Sequence, residues 1–254
     1  MVEIKDQVVL VTGAGRGLGA AIAKAFGRED ARVIVNYHQS EEKAKEVAKS
    51  IGDRAIAIQA DVTDQEQVKA MFDQAEKHFG QEVTTVINNA LVHFKFDALN
   101  RKQATTIDWE DYETQLKGSI KAALHTTQAA YEGMARLGFG RIINIGTNLV
   151  QNPVVPYHDY NTGKAALIGF TRSMARELGP KGITVNMVSG GLLQTTDASA
   201  STPDAVFDLI KESTPLNRVT TPQELADATL FFASPWSRAI TGQNLVVDGG
   251  LVMN

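Results

Sequence analysis

The sequence predicts an α/β fold, a single doubly wound parallel sheet flanked by helices on both faces and spanning residues 1–254. Three observations carry this expectation. Short apolar runs alternate with longer amphipathic stretches along the whole chain, and connections of helical length force crossovers and hence parallel pairing. Runs such as Val8-Val9-Leu10-Val11 are apolar at successive positions, as strands covered on both faces require. No proline- or glycine-rich linker, repeat or low-complexity tract divides the chain.

The elements follow in order. Val8–Val11 reads as the first strand, and a glycine turn leads into a helix from about Gly17 to Arg28. Ala31–Val35 is the second strand and Ser40–Ile51 the next helix, with Ser40 as its cap and Glu41 and Glu42 in its first turn. Arg54–Gln59 is the third strand, Thr63–Phe79 a helix that Gly80 ends, and Val83–Asn88 the fourth strand. One long helix is expected over Trp109–Leu137. Arg141–Ile145 and Thr184–Val188 are strands on either side of a helix over Tyr157–Leu178. Helices over Pro203–Lys211 and Pro222–Phe232 and a strand over Asn244–Val247 complete the pattern.

Composition narrows the function. Hydrophobic residues make up 43% of the 254 and charged residues 21%, as in ordinary globular proteins. The formal net charge of −4 argues against a nucleic-acid surface. Absence of cysteine removes disulfides, thiolate nucleophiles and cysteine-ligated metals. His38, His78, His93, His125 and His158 are scattered without ligand spacing, so no metal site is expected. The first residues lack the apolar core of a signal peptide, and no run reaches the ~18 apolar residues of a membrane span. A soluble, cytoplasmic protein is expected, with no nucleic-acid or membrane partner.

Two motifs carry chemistry. The first strand runs into Thr12-Gly13-Ala14-Gly15-Arg16-Gly17-Leu18-Gly19. Glycines between a strand and a helix let the backbone approach a diphosphate, and the amides around Gly17, Leu18 and Gly19 face it with the positive end of the helix dipole. The alternative is a purely structural turn. The second motif, Tyr160-Asn161-Thr162-Gly163-Lys164, sets Tyr and Lys four residues apart, one turn apart on one helix face. A free tyrosine titrates near ~10, too high for efficient acid/base work at neutrality, and a neighbouring ammonium together with the positive charge of a bound cofactor is expected to lower it.

The spacing TGxxxGxG followed by YxxxK resembles the short-chain dehydrogenase/reductase family, most closely its 3-oxoacyl-[acyl-carrier-protein] reductases, and the resemblance runs to the ending Val247-Asp248-Gly249-Gly250. It implies a Rossmann-like sheet that binds a nicotinamide cofactor and reduces a carbonyl to a secondary alcohol, in fatty acid biosynthesis for the acyl-carrier members. Tyr160 would be the acid/base, Lys164 would hold the nicotinamide ribose, and Thr147, thirteen residues before the tyrosine, would take the place of the family's serine. Asp61 and Val62 would hold the adenine; Asn89 and Ala90 would pack against the cofactor; Leu193 and Thr195 would hold the carboxamide. No carboxylate stands at Asn36 or Tyr37 to repel a 2′-phosphate, and Arg16 stands in the glycine loop, so NADP(H) is expected over NAD(H). Arg16 as a solvated loop charge is the alternative.

The chain departs from the family pattern at several places. Leu91 stands where a glycine is usual and Gly190 where a proline is usual. The family's helix asparagine, which supports a water beside the lysine, falls on Ser119 or on Gln115 according to the alignment chosen. His93-Phe94-Lys95-Phe96 lies after the fourth strand, where it would line a substrate cleft, and Thr196–Leu216 would form a mobile lid. Apolar stripes at Leu116, Ile120, Ala123 and Leu124, and at Leu167, Phe170 and Met174, suit the helix pairing of a homotetramer, with packing on the sheet as the alternative that part of each helix must follow. The competing readings are a dehydrogenase of another small alcohol or ketone, and a cofactor-binding sensor without turnover.

Overall fold

The computed structural model describes residues 1–94, 96–97, 100–194, 196, 199 and 202–253. Seven strands form one sheet: β1 (Val8–Val11), β2 (Arg32–Tyr37), β3 (Ala55–Gln59), β4 (Thr85–Asn88), β5 (Gly140–Thr147), β6 (Ile183–Gly190) and β7 (Asn244–Val247). Their order is β3-β2-β1-β4-β5-β6-β7, and every neighbouring pair is parallel. The order reverses between β1 and β4, which opens a crevice at their carboxyl ends.

Helices α1 (Gly17–Arg28), α2 (Glu41–Ile51) and α8 (Pro222–Ala233) cover one face, where Ile22 and Phe26 pack with Val9, Val33, Leu225 and Phe232. Helices α3 (Gln65–Phe79), α5 (Ala122–Leu137) and α6 (His158–Leu178) cover the other, where Val68, Met71, Met134 and Leu178 pack with Val8, Leu10 and Val185. Successive strand residues therefore enter opposite cores, which is why the strands lack a polar face. Among the described residues no helix is long and apolar enough to cross a membrane.

Several boundaries differ from the sequence reading, each for a local reason. The helix expected from Thr63 begins at Gln65, because Asp64 accepts the Glu66 and Gln67 amides at 3.0 and 3.1 Å and caps it. Ser40 makes no capping bond from its side chain, and α2 begins at Glu41. Strands β5 and β6 run longer than expected, since they pair with each other from Gly140↔Ile183 to Thr147↔Gly190. The stretch expected as a lid carries α7 (Asp204–Ser213), and positions 197–198 and 200–201 of that stretch lie outside the described residues. The single helix over Trp109–Leu137 is three pieces: α4 (Trp109–Leu116), a π-helical turn over Lys117–Lys121, and α5. Gly118 sits in that turn with Val92 packed so close that an added Cβ would lie 2.8 Å from the valine Cβ. Wide turns of this type collect at functional sites.

Candidate active site

The glycine turn is built almost entirely by the backbone. Gly13 (φ +63°) and Gly17 (φ +55°) occupy the left-handed region, which costs glycine nothing. A Cβ at Gly19 would stand 2.5 Å from the Gly13 carbonyl oxygen and 2.6 Å from Asn89 Nδ2. Asn89 itself donates to the Thr12 and Gly13 carbonyls at 2.9 and 3.3 Å, and the Thr12 hydroxyl accepts the amides of Asn89 and Ala90 at 2.9 and 3.0 Å. Asn36 clamps the other side: its Oδ1 accepts the Gly13 amide at 3.1 Å and its Nδ2 donates to the Ala60 carbonyl at 3.1 Å. Thr12 and Asn36 thus fix the turn's shape, a role the sequence reading missed. Their signal is an uncharged polar residue at the end of each of two buried strands.

Around this turn the expected groups gather. Arg16 occupies the N-cap position of α1, with Gly17, Leu18 and Gly19 forming its first turn. The first amides of a helix have no intrahelical acceptor, and among the described residues Thr196 Cβ, at 3.9 Å, is what a Cβ placed on Gly17 would meet. Asp61 and Val62 follow β3. Burial favours the neutral Asp61 carboxyl, but the Thr63 amide and hydroxyl, each at 2.8 Å, outweigh it and hold the group below the usual range. Leu193 forms an isolated bridge with Thr220. Thr195 and Lys95 lie outside the described residues.

Strand β5 delivers Thr147 at its end, and α6 delivers Tyr160 and Lys164 one turn apart, all three buried. The Leu149 amide donates to the Thr147 hydroxyl at 3.3 Å, and the Thr147 side chain acts on the Tyr160 phenol to favour its charged form. Lys164 Nζ donates to the Ile145 carbonyl at 2.7 Å and lies 5.8 Å from the centroid of the Tyr160 ring. The expectation that the ammonium lowers the tyrosine is reversed in the protein alone. Burial pushes Tyr160 up to about 12, against the opposing effect of Thr147, and burial brings Lys164 down to about 8. The lysine is committed to a backbone carbonyl rather than to the phenol, and dehydration of the ring dominates.

The π turn separates the two candidates for the helix-asparagine position. Gln115 turns away and donates to the Val92 carbonyl at 3.1 Å. Ser119 lines a cavity of about 10 Å³ with Thr12, Asn88 and Lys164, roughly the space of one water. Its hydroxyl would be 3.1 Å from a Cβ on Gly163, so the glycine inside the Tyr-to-Lys spacing is what admits it. A second buried chain was invisible in the sequence. Thr126 donates to Asn88 Oδ1 at 2.7 Å, Asn88 Nδ2 to Asn144 Oδ1 at 2.8 Å, and Asn144 Nδ2 to the Thr171 hydroxyl at 2.8 Å. It ties β4, β5, α5 and α6 together, the elements that carry the reacting groups.

A glycine turn at the sheet's switch point and a Thr–Tyr–Lys set facing the same crevice define the family once its pattern is compared across the chain: residues 13–252 match the family described as enoyl-(acyl carrier protein) reductase. The chain belongs to the short-chain dehydrogenase/reductase family. It is 35% identical, over 98% of its length and 96% of the relative's, to hydroxynaphthalene reductase-like protein Arp2 of Metarhizium robertsii. It is 33% identical to the 3-oxoacyl-[acyl-carrier-protein] reductase FabG of Pseudomonas aeruginosa, over 99% of this chain and 100% of that one. In structure it is similar to a gluconate 5-dehydrogenase from Burkholderia cenocepacia crystallised with NADP and tartrate, with a TM-score of 0.86 and 28% identity over 96% of this chain and 94% of that one. This short-chain dehydrogenase/reductase is therefore an oxidoreductase with the family's Rossmann-like sheet.

Proposed function

We propose that the protein is an NADP(H)-dependent carbonyl reductase. The observation that carries this is the buried set on β5 and α6: Thr147 ends the strand, and Tyr160 and Lys164 stand one helical turn apart, all three buried. The cradle suits a dinucleotide: left-handed glycines at Gly13 and Gly17 and a helix N-terminus. When bound, the nicotinamide supplies the hydride that goes to the substrate's carbonyl carbon. The protein handles the proton. Thr147 orients the carbonyl oxygen, and Tyr160, held protonated by burial, gives its phenolic proton to the alkoxide as it forms. Lys164 would hold the nicotinamide ribose, and the cavity beside Ser119 and Lys164 gives room for a water that would pass a proton to the lysine end of the pair. Arg16 pairs with the 2′-phosphate, as fits the NADP in the gluconate 5-dehydrogenase neighbour.

Asp61 and Val62 hold the adenine, Asn89 and Ala90 line the cofactor, and Leu193 and Thr195 meet the carboxamide. In this reading the active unit is a homotetramer paired through α5 and α6. A 3-oxoacyl thioester is the substrate suggested by the FabG relative, whereas the Arp2 relative's name points to hydroxynaphthalene chemistry. The test is NADPH oxidation over a panel of 3-oxoacyl thioesters and cyclic ketones. At least one ketone is reduced, and Tyr160→Phe lowers its turnover by ~10² or more while leaving NADPH affinity within a few-fold. Cofactor binding with no turnover of any ketone, unaltered by Tyr160→Phe, would establish a sensor instead.

A further inference from the structure

We infer that Phe94 and Phe96 form an aromatic wall that selects a flat, fused-ring aromatic ketone as the substrate; the inference rests on Tyr160 being the proton donor. The wall is made by the segment that follows β4. Its start is fixed to the π turn, since Gln115 donates to the Val92 carbonyl at 3.1 Å and Gly118 leaves room for the Val92 side chain. The next residue, His93, lies in the left-handed region at φ +48°, a conformation that costs a non-glycine residue energy and persists where the surroundings demand it. That turn lays the Phe94 ring on the Tyr160 ring, stacked at 4.7 Å between centroids with 23° between planes.

Phe96 meets Tyr160 edge-on at 5.2 Å and Phe94 at 5.0 Å. Tyr157, the N-cap residue of α6, closes the third side of the cluster at 5.4 Å from Phe94 and 5.7 Å from Phe96. Three rings thus surround the phenol that must reach the substrate oxygen, and Tyr160 is left only 7% exposed. A substrate that reaches the hydroxyl packs against the outer faces and edges of these rings. A planar aromatic ketone gains offset or edge contacts with those rings and has no rotors to freeze. A flexible acyl chain gains less there and loses rotamer freedom. The wall therefore rewards flatness and aromatic character, not mere apolar bulk.

The test compares a tetralone with the corresponding decalone, its saturated and non-planar analogue, in wild type, Phe94→Ala, Phe94→Leu and Phe96→Ala, all with NADPH. Wild type favours the tetralone by about tenfold or more in kcat/KM, and both Phe94 variants shrink that ratio at least fivefold. Phe94→Leu keeps apolar volume, so a loss of fold does not explain its result. Binding of 1-naphthol by calorimetry is measured in parallel. Tight binding that Phe94→Leu weakens and Tyr160→Phe does not supports the wall even if no ketone on the panel is turned over, in which case the proton-donor reading fails alone. Equal kcat/KM for tetralone and decalone in wild type, or naphthol binding unchanged by Phe94→Leu, overturns the wall.

Discussion

The two sides of the crevice are made of different material. On the cofactor side, the turn after β1 is backbone shaped by glycine and held by Thr12, Asn36 and Asn89. On the substrate side, the reacting groups are side chains, and their properties come from what buries them: Tyr160 is raised and Lys164 lowered by dehydration. A backbone site tolerates little change at its glycines and carries its signature openly in sequence. A side-chain site can keep its reacting pair while its surroundings are rebuilt, as Ser119 and Leu91 show here.

The comparison is broken most directly at Gly19. A methyl group there meets the Gly13 carbonyl oxygen and Asn89 Nδ2 at 2.5 and 2.6 Å, and neither the backbone nor the clamped asparagine can yield cheaply. Gly19→Ala is expected to cost roughly 1–3 kcal/mol, seen as a roughly fivefold or larger rise in the NADPH Kd by fluorescence titration. A variant with wild-type affinity and melting temperature would show that the turn is not held as tightly as its contacts imply.

The same contrast explains how much could be read in advance. All seven strands and the Tyr160/Lys164 pair were legible, because strand burial and helical spacing are local patterns. The break at Lys117–Lys121 was not, since it depends on Val92, a residue distant in sequence, packing onto Gly118. Nor was the choice between Ser119 and Gln115, which turns on Gln115 finding the Val92 carbonyl. The upward shift of Tyr160 in the protein alone was not legible for the same reason: sequence shows that a lysine is near, but not that it is bonded to Ile145.

Arg16 sharpens the cofactor side. Placed at the start of α1, it is the charged side chain of the glycine turn. Arg16→Ala should raise the KM for NADPH about tenfold, the value of one charge-assisted hydrogen bond, and change that for NADH by less than twofold. Equal effects on both cofactors would remove the 2′-phosphate from its role.

The smallest effect concerns the cost of the substrate side. A buried lysine at about 8, below its ordinary 10.5, means that folding releases protons from it between those values. Below pH 8 the folded protein carries the charge at a cost; above 10.5 both states are neutral and the cost is gone. Lys164→Met removes that cost and also removes the bond to the Ile145 carbonyl, which offsets part of the gain. The variant should therefore melt roughly 2–4 °C higher than wild type at pH 7, with the difference shrinking as pH rises past 8. A melting temperature lower than wild type at neutral pH would mean that the carbonyl bond outweighs the buried charge, and that this lysine stabilises the fold it serves.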